Sequence, residues 1–198
     1  MQKLPRPRGK KIGLLGGSFN PAHAGHLYIS RMALKHLKLD EIWWLVSPQN
    51  PLKDKSSLAP LAQRLASAER VARCSARITP TTIETTLGTR YTVDTLQALE
   101  NAYPLTNFVW LMGADNLSQI HRWKNWKSIF RHVSVAVFDR APHSARSCES
   151  RAAKYFSAAQ VPENDAGKLA LMKPPAWVFL NVPRHPASAT ALRQAKKW

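Results

Sequence analysis

The sequence predicts an α/β fold, a doubly wound parallel sheet with helices on both of its faces. Short apolar runs alternate along the chain with stretches whose apolar residues recur at helical spacing. No tight-turn signal typical of a hairpin joins two successive apolar runs, which favours parallel strands connected by helices. With 198 residues, 44% of them hydrophobic, the chain is long enough to bury one substantial core. We therefore expect a single domain over residues 11–198, preceded by a flexible basic tail over residues 1–10.

Apolar runs predict the strands, and amphipathic stretches predict the helices. Each run is short and ends at glycine, proline or a polar cluster, as buried strands do. Pro80 lacks a backbone N–H, so the strand that contains it is expected at an edge or a bend of the sheet. The segment 141–173 is polar, with few apolar residues in register, and the sequence leaves its structure open. The expected strands are 11–15, 41–46, 77–84, 107–113, 133–139 and 177–182, and the expected helices are 24–37, 61–72, 91–102 and one that begins near Ser188.

The formal charge of +17 predicts an attraction for polyanions, either nucleic acid or small phosphorylated substrates. The basic residues are scattered along the chain and do not form one long block with interleaved aromatic residues. This distribution favours a solvated basic surface over a dedicated nucleic-acid site, so nucleic acid is not the expected partner.

The cysteines Cys74 and Cys148 lie far apart, without the spacing of a disulfide framework or a zinc site, which favours a reducing cytoplasm. No apolar run approaches the ~20 residues that a membrane-spanning helix needs. The basic N-terminal segment also lacks the apolar block of a secretory signal. We therefore expect a cytoplasmic protein without a membrane partner.

The stretch GLLGGSFNPAHAGHLYIS, residues 13–30, places two histidines between a glycine turn and the first predicted helix. Gly16 and Gly17 permit backbone angles and close approaches that a side chain would block. Backbone N–H groups in the turn and at the helix N-terminus favour an anion there. His23 and His26 are three residues apart, so both imidazoles lie on one side of the first helical turn. Such rings donate hydrogen bonds to phosphate oxygens and carry positive charge near neutral pH where a phosphate stabilises it.

Each histidine, taken alone, has alternative interpretations that involve no phosphate. A single histidine is more often a surface or core residue, and a His-x-x-His pair can be half of a metal site. No cysteine or acidic cluster nearby completes such a site, so we predict no metal ligands in the chain. The turn also matches neither the lysine phosphate loop nor G-x-G-x-x-G. The whole string from strand to helix is far more specific than either histidine, and it predicts a phosphate-binding turn.

The predicted topology places the other polar residues of interest near this turn. Ligands of open parallel sheets bind beyond the C-terminal ends of the strands, where the strand order reverses. In a Rossmann-like sheet the turns after several strands therefore share one rim. These are the turns after 11–15, 41–46, 107–113 and 133–139.

The motif GGSFNPAHAGHL resembles the signature of the H-x-G-H nucleotidyltransferase superfamily. Members of that superfamily transfer a nucleoside monophosphate from a triphosphate to a phosphorylated acceptor. Asn20 stands where the usual motif has aspartate, and its amide can still hold the turn. The resemblance implies ATP contacts from Gly16, Gly17, Ser18, Phe19, His23 and His26.

The segment SATALR near the C-terminus resembles the second signature of the superfamily, a Ser/Thr-containing helix start with a basic residue. The resemblance implies that Ser188, Thr190 and Arg193 bind the β- and γ-phosphates of ATP. A hydroxyl, free backbone amides and a guanidinium are suited to that task. Read alone, the segment is equally typical of an ordinary helix cap at Ser188.

The stretches RYTVDTL, LMGADNL and HRWKNWKSI are similar to segments of nicotinate-mononucleotide adenylyltransferases. The resemblance implies that Trp123 stacks on the pyridine ring and that Thr92 receives the nicotinate carboxylate. An electron-poor ring prefers an aromatic face, and a carboxylate prefers the donors of a helix start. Thr92 could instead be a simple helix cap. Trp126 is expected to pack in the core with Ile129.

Further contacts follow from the same resemblance. Asp115, after a buried strand, is implied to accept hydrogen bonds from ribose hydroxyls of ATP, and its alternative is a turn aspartate. Arg140 is implied to contact the acceptor phosphate. Lys53 is implied to bind the acceptor, although Leu52 replaces the histidine usual before it, and a mobile surface lysine is the alternative.

The implied reaction is adenylyl transfer from ATP to nicotinate mononucleotide, giving deamido-NAD and pyrophosphate. His23, His26 and Arg193 are its expected catalytic residues, and Mg²⁺ is expected to be held mainly by the ATP phosphates. Two alternatives remain open: a sister enzyme that uses phosphopantetheine or a cytidylyl donor, and a basic nucleic-acid-binding protein. The sequence also leaves open whether the protein forms a homo-oligomer.

Overall fold

The computed structural model describes residues 9–48, 58–139 and 148–183 together with Ala187. Within them, parallel strands form one sheet in the order β3-β2-β1-β4-β5-β7-β6. The order runs outward in both directions from the neighbours β1 and β4, which confirms the doubly wound prediction. The strands are β1 Lys11–Gly17, β2 Glu41–Val46, β3 Ile78–Thr81, β4 Asn107–Gly113, β5 Ser134–Phe138, β6 Gln160–Val161 and β7 Trp177–Leu180.

Helices connect the strands and cover the sheet. They are α1 Ala24–His36, α2 Leu61–Ala72, α3 Ile83–Leu87, α4 Thr92–Ala102, α5 Ala114–Gln119, α6 Trp126–His132 and α7 Arg151–Tyr155. Short 3₁₀ turns occupy Ile120–Arg122, Ser157–Ala159 and Glu163–Leu171. The helix expected near Ser188 lies outside the described residues. No helix in the described part of the chain is long and apolar enough to cross a membrane.

Successive strand residues bury their side chains on opposite faces of the sheet, which produces two cores. Leu14 and Trp43 belong to one core, and their neighbours Leu15 and Trp44 belong to the other. Both tryptophans are fully buried. Because successive side chains lie on opposite faces of a strand, a continuously apolar run contributes residues to both cores.

The strand that contains Pro80 lies at the sheet edge, as expected. Pro80 lies opposite Trp44 of β2, and β3 has no second neighbour in the described sheet. The expected extent of this strand, 77–84, was wrong at its C-terminal end, because α3 begins at Ile83. Gly88 ends α3 in the left-handed region with φ of 65°, a conformation that glycine adopts without steric cost.

The segment 141–173, whose structure the sequence left open, contains several regular elements in its described part. They are α7, β6 and the turn Glu163–Leu171. Strand β6 pairs in parallel with β7 and is a seventh strand that the sequence pattern does not predict. Two residues are too few for any periodicity, so only the pairing with β7 defines this strand.

Candidate active site

The histidine turn connects β1 to α1 at the C-terminal rim of the sheet. His23 is the N-cap of α1, and its Nδ1 accepts a hydrogen bond from the Gly25 N–H at 3.1 Å. The His26 Nδ1 accepts from the His23 N–H at 3.2 Å. Two imidazoles thus form the reciprocal capping box that Ser or Thr and Glu form in other helices. The cap fixes both rings against the helix start.

These hydrogen bonds define the role of one nitrogen in each ring. Nδ1 accepts from a backbone N–H in both imidazoles, so Nε2 is the ring nitrogen that can donate. The positive charge expected where a phosphate binds stays a prediction.

A stack of aromatic rings supports the pair from the core side. Trp44, fully buried in β2, stacks on Phe19 with ring centroids 5.2 Å apart. Phe19 in turn lies 4.7 Å from the His26 ring, and the two imidazoles are 3.9 Å apart. The Trp44 Nε1 also donates to Ser30 Oγ, whose hydroxyl donates to the His26 carbonyl. Ring packing and hydrogen bonds together leave the imidazoles little freedom.

The unusual backbone conformation of the turn is at Phe19, not at the glycines where we expected it. Phe19 has φ of 47°, whereas neither Gly16 nor Gly17 has positive φ. Gly16 provides space instead, since a Cβ there would lie 2.5 Å from the Trp110 ring. A Cβ at Gly17 would lie 3.4 Å from the Phe19 ring, which is close to an ordinary contact. Phe19 as a whole is 1% exposed, so its ring is buried beneath the turn.

Asn20 ties the turn to the chain before α2. Its side chain is buried, and Oδ1 accepts a hydrogen bond from the Ala59 N–H at 3.2 Å. This contact needs an acceptor oxygen but no charge, so an amide serves where the usual motif has a carboxylate.

Part of the C-terminal segment lies against the histidine turn. The Ala187 carbonyl oxygen is 3.0 Å from the position that a Cβ would occupy on Gly25. The expected ATP-binding residue Ser188 follows Ala187 directly in the chain. The predicted site residues Lys53, Arg140, Ser188, Thr190 and Arg193 all lie outside the described residues.

The two stretches expected to bind the acceptor lie beside each other. Lys124 forms an ion pair with Asp94 of α4 at 3.0 Å, and its ammonium lies 4.6 Å from the centre of the Tyr91 ring. Thr92 is the first residue of α4, and Tyr91 is its N-cap. The alternative interpretation of Thr92 as the cap is therefore wrong. No side chain in the described part of the chain caps this helix, whose first N–H groups thus have no side-chain acceptor.

The two tryptophans of the W-x-x-W segment have different surroundings. Trp123 is half-buried and meets Trp110 edge-on, with centroids 6.4 Å apart. Trp126 packs edge-on against three aromatic rings, which confirms its predicted packing role. Those rings belong to Phe130, Tyr155 and Phe156.

Asp115 lies in the first turn of α5, directly after β4. Because β1 and β4 are adjacent parallel strands, their C-terminal ends face the same rim. The half-buried Asp115 therefore lies on the rim that also carries the histidine turn. Among the residues that the structure describes, no group of three or more His, Cys, Asp or Glu side chains could hold a metal ion.

Two buried charged residues of the rim were not predicted. Arg64 of α2 is 2% exposed, and Glu84 of α3 is 7% exposed. One signal did exist for Arg64, since it interrupts the apolar face of a predicted helix. Glu84 had no such signal, because its segment was assigned to a strand.

Burial raises the pKa of Glu84 from 4.5 to about 7, although hydrogen bonds from Ser47 and Thr95 oppose the shift. Its Oε2 has no hydrogen-bond partner among the described residues. In the unfolded chain the carboxyl loses its proton near its ordinary pKa, whereas the folded protein retains that proton up to about pH 7. The folded state therefore loses stability relative to the unfolded state as the pH rises through this window.

We expect Glu84→Gln to remove this loss. The free energy of unfolding of the variant should equal that of the wild type at pH 4.5. Above pH 7 it should be higher than that of the wild type by about 1–3 kcal/mol. Urea unfolding of both proteins at pH 4.5, 6 and 8 measures the difference in free energy of unfolding. Glu69→Gln, an exposed glutamate of α2, is the matched control and should show no such trend. A difference that does not grow with pH would contradict the prediction.

Comparisons with known proteins agree with this architecture. A family model described as cytidylyltransferase-like matches residues 14–195. The probable nicotinate-nucleotide adenylyltransferase of one Methylorubrum extorquens strain is 51% identical over 183 residues, which are 92% of this chain and 98% of that protein. The protein of the same name from Cereibacter sphaeroides strain ATCC 17025 is 52% identical over 187 residues, 94% of this chain and 98% of that protein.

Solved structures share the fold. Two structures of Plasmodium falciparum nicotinic acid mononucleotide adenylyltransferase, complexed with APC and with NaAD, superpose with TM-scores of 0.67 and 0.69 at 18% identity. Each match covers 93% of this chain and 83% of the other. These structures support the doubly wound architecture. The relatives, which are 51% and 52% identical to this chain, establish the family. The chain belongs to the nicotinate-nucleotide adenylyltransferase family, a nucleotidyltransferase family within the cytidylyltransferase-like proteins.

Proposed function

We propose that this protein transfers the adenylyl group of ATP to nicotinate mononucleotide, forming deamido-NAD and pyrophosphate in NAD biosynthesis. The single observation that carries the proposal is the paired-imidazole cap at the start of α1, which fixes two imidazoles at the rim of the sheet. The names of the relatives support the same reaction. So do the APC and NaAD complexes of the Plasmodium protein.

The reaction needs no covalent enzyme intermediate. An oxygen of the acceptor phosphate attacks the α-phosphorus of ATP, and a new P–O bond forms as the bond to the bridging oxygen breaks. The bonding electrons leave with pyrophosphate. A phosphate monoester is already anionic near pH 7, so no strong general base is needed. Catalysis is therefore positioning of the reactants and stabilisation of charge.

The ATP side of the site is assigned to the histidine turn and the C-terminal segment. The Nε2–H groups of His23 and His26 stabilise the transferring phosphate together with the amides of Gly17 and Ser18. Asp115 accepts from the ribose of ATP. Gly16, Phe19, Ser188, Thr190 and Arg193 complete the ATP contacts, with Arg193 holding the departing pyrophosphate.

The acceptor side is assigned to the neighbouring segments around α4 and Trp123. The uncapped N-terminus of α4 at Thr92 receives the nicotinate carboxylate, since its first N–H groups have no side-chain acceptor. Trp123 stacks on the pyridine ring. Lys53 and Arg140 bind the acceptor, Arg140 through its phosphate.

Mg²⁺ is proposed to arrive with ATP, held by phosphate oxygens and water. The described residues contain no group of three or more His, Cys, Asp or Glu side chains that could hold the ion. The cytoplasm, where ATP and pyridine nucleotides meet, is the proposed compartment.

Pyrophosphate release is the direct test of the function. ATP is offered with nicotinate mononucleotide, with nicotinamide mononucleotide and with phosphopantetheine in turn, and CTP replaces ATP in a parallel series. We expect the fastest release with ATP and nicotinate mononucleotide. Preference for phosphopantetheine or CTP would favour the sister enzymes. Salt-sensitive nucleic-acid binding without any pyrophosphate release would favour the nucleic-acid-binding alternative.

We expect Trp123→Ala to raise the KM for nicotinate mononucleotide about tenfold or more, because aromatic stacking on a base contributes ~1–3 kcal/mol. The KM for ATP should change much less. Trp123→Phe, which keeps an aromatic face, should recover most of the affinity, and Trp126→Phe serves as the control in the packed neighbour. An unchanged KM for the mononucleotide in Trp123→Ala would exclude the stacking role.

A further inference from the structure

Arg64 donates hydrogen bonds to backbone carbonyls on the rim of the sheet. Its Nε donates to Ala59 at 2.8 Å, Nη1 donates to Ser18 and to Ser47 at 2.7 Å each, and Nη2 donates to Pro48 at 3.1 Å. Ser18 belongs to the histidine turn, Ser47 and Pro48 follow β2, and Ala59 precedes α2. One side chain therefore joins three segments that are distant in sequence.

The guanidinium is a buried cation without a carboxylate partner. No acidic side chain of the described residues forms an ion pair with Arg64. Burial lowers the pKa of Arg64, but a guanidinium remains protonated in proteins. Carbonyl dipoles offset part of the desolvation cost and leave the net charge in place. A fixed positive charge thus lies within one hydrogen bond of the turn that is proposed to bind phosphate.

The contact with Ser18 also sets the direction of a backbone donor. The peptide bond between Ser18 and Phe19 is trans, since the only cis bonds in the described chain are Asn20–Pro21 and Pro174–Pro175. In a trans peptide the C=O and the N–H point in opposite directions. Because the Ser18 carbonyl points to the Arg64 guanidinium, the Phe19 N–H points away from that guanidinium.

A second link reinforces this arrangement. The Ala59 carbonyl accepts from Arg64, and the N–H of the same residue donates to the Asn20 side chain at 3.2 Å. The histidine turn is thus attached to the start of α2 on both sides of Phe19. Phe19 itself has φ of 47°, a conformation that costs energy in a residue with a side chain and that persists only where its surroundings hold it.

We propose that Arg64 is a positioning residue of the adenylyl-transfer site: it holds the Ser18 carbonyl inward so that the Phe19 N–H faces the triphosphate, and it supplies an unpaired positive charge beneath the turn. The inference rests on the proposed function, because it assumes that the triphosphate binds at this turn. A misplacement of about 1 Å at such a site can cost ~10²-fold in rate.

Steady-state pyrophosphate release by Arg64→Met, Arg64→Lys and Arg70→Met tests the inference, with ATP and nicotinate mononucleotide varied separately. Arg70→Met removes the same charge from an exposed position of α2 and should behave like the wild type. We expect Arg64→Met to lower kcat/KM for ATP about 10²-fold with a raised KM for ATP. Arg64→Lys, which keeps the charge but reaches fewer carbonyls, should lose about tenfold.

Urea unfolding and kinetics per folded molecule separate positioning from a purely structural role. A structural role would scale activity by the folded fraction and leave both KM values unchanged, and this result would overturn the inference. If Arg64→Met does not fold, Arg64→Lys provides the test. A kcat/KM for ATP of Arg64→Lys within about twofold of the wild-type value would then overturn the inference.

The inference and the proposed function fail in different ways. A wild-type protein that releases no pyrophosphate refutes the proposed function, and calorimetric titration with ATP then tests Arg64 alone. We expect Arg64→Lys to bind ATP at least fivefold more weakly than the wild type and Arg70→Met to bind it equally. Equal affinity of Arg64→Lys and the wild type, or no ATP binding by the wild type, would overturn the inference.

Discussion

His26→Ala is expected to lower kcat by ~10²–10³, the usual loss when one preorganised donor to a developing charge is removed. The reason lies in the geometry of the cap. His26 accepts from the His23 N–H through Nδ1, and its Nε2–H is the donor proposed for the transferring phosphate. Packing against Phe19 holds the ring in place before substrate binds, so this donor needs little reorganisation.

Two further variants separate the donor from the cap. In His26→Asn the side-chain oxygen can accept from the His23 N–H, so stability should be retained while turnover falls as in His26→Ala. The alanine variant should also lose about 0.5–2 kcal/mol of stability with the cap. His36→Ala, at the other end of α1, is the matched histidine control. Pyrophosphate release and urea unfolding measure both effects, and near-wild-type turnover in His26→Asn would remove the donor role.

Gly25→Ala is expected to lower kcat/KM for ATP about 10²-fold, because it displaces the rings without removing them. The added Cβ would lie 2.9 Å from Cε1 and Nδ1 of His23 and 3.0 Å from the Ala187 carbonyl. Either the His23 ring turns and loses its hydrogen bond from Gly25, or the chain at Ala187 moves away. Both movements separate groups that are proposed to bind one triphosphate.

The same crowding should reduce the free energy of unfolding by about 1–3 kcal/mol. Gly167→Ala is the matched control, since its Cβ would meet only the flexible side chain of Lys38, at 3.1 Å. The control should retain full activity in the pyrophosphate assay. A Gly25→Ala enzyme with the kinetics of the wild type would show that the close approach at Gly25 has no part in the reaction.

Local sequence patterns alone predicted the main strands and helices that position the site. The strands 41–46 and 107–113 and the helix 61–72 have the predicted bounds. The two strands are short continuous apolar runs, and the helix has apolar residues at helical spacing. The rim position of the histidine turn followed from the parallel connections. The packing role of Trp126 was also predicted correctly, because the prediction depends only on the local spacing of Trp126 and Ile129.

Local sequence patterns could not predict the contacts between segments that are distant in the chain. Arg64 joins Ser18, 46 residues away, to the chain after β2, and no periodicity encodes such a pairing. The left-handed backbone at Phe19 is held by the stack on Trp44, so glycine was the wrong residue on which to expect it. Strand β6 likewise exists only through its pairing with β7.

The sequence by itself determined the alternation of strands and helices, the parallel sheet and the presence of paired imidazoles at a helix start. Only the tertiary structure decided the hydrogen bonds that those imidazoles accept, the burial of Arg64 and the raised pKa of Glu84. The physical reason is the range of the interactions. Periodicity and capping act within a few residues, whereas desolvation and hydrogen bonding of buried charges depend on which distant segments the fold brings together.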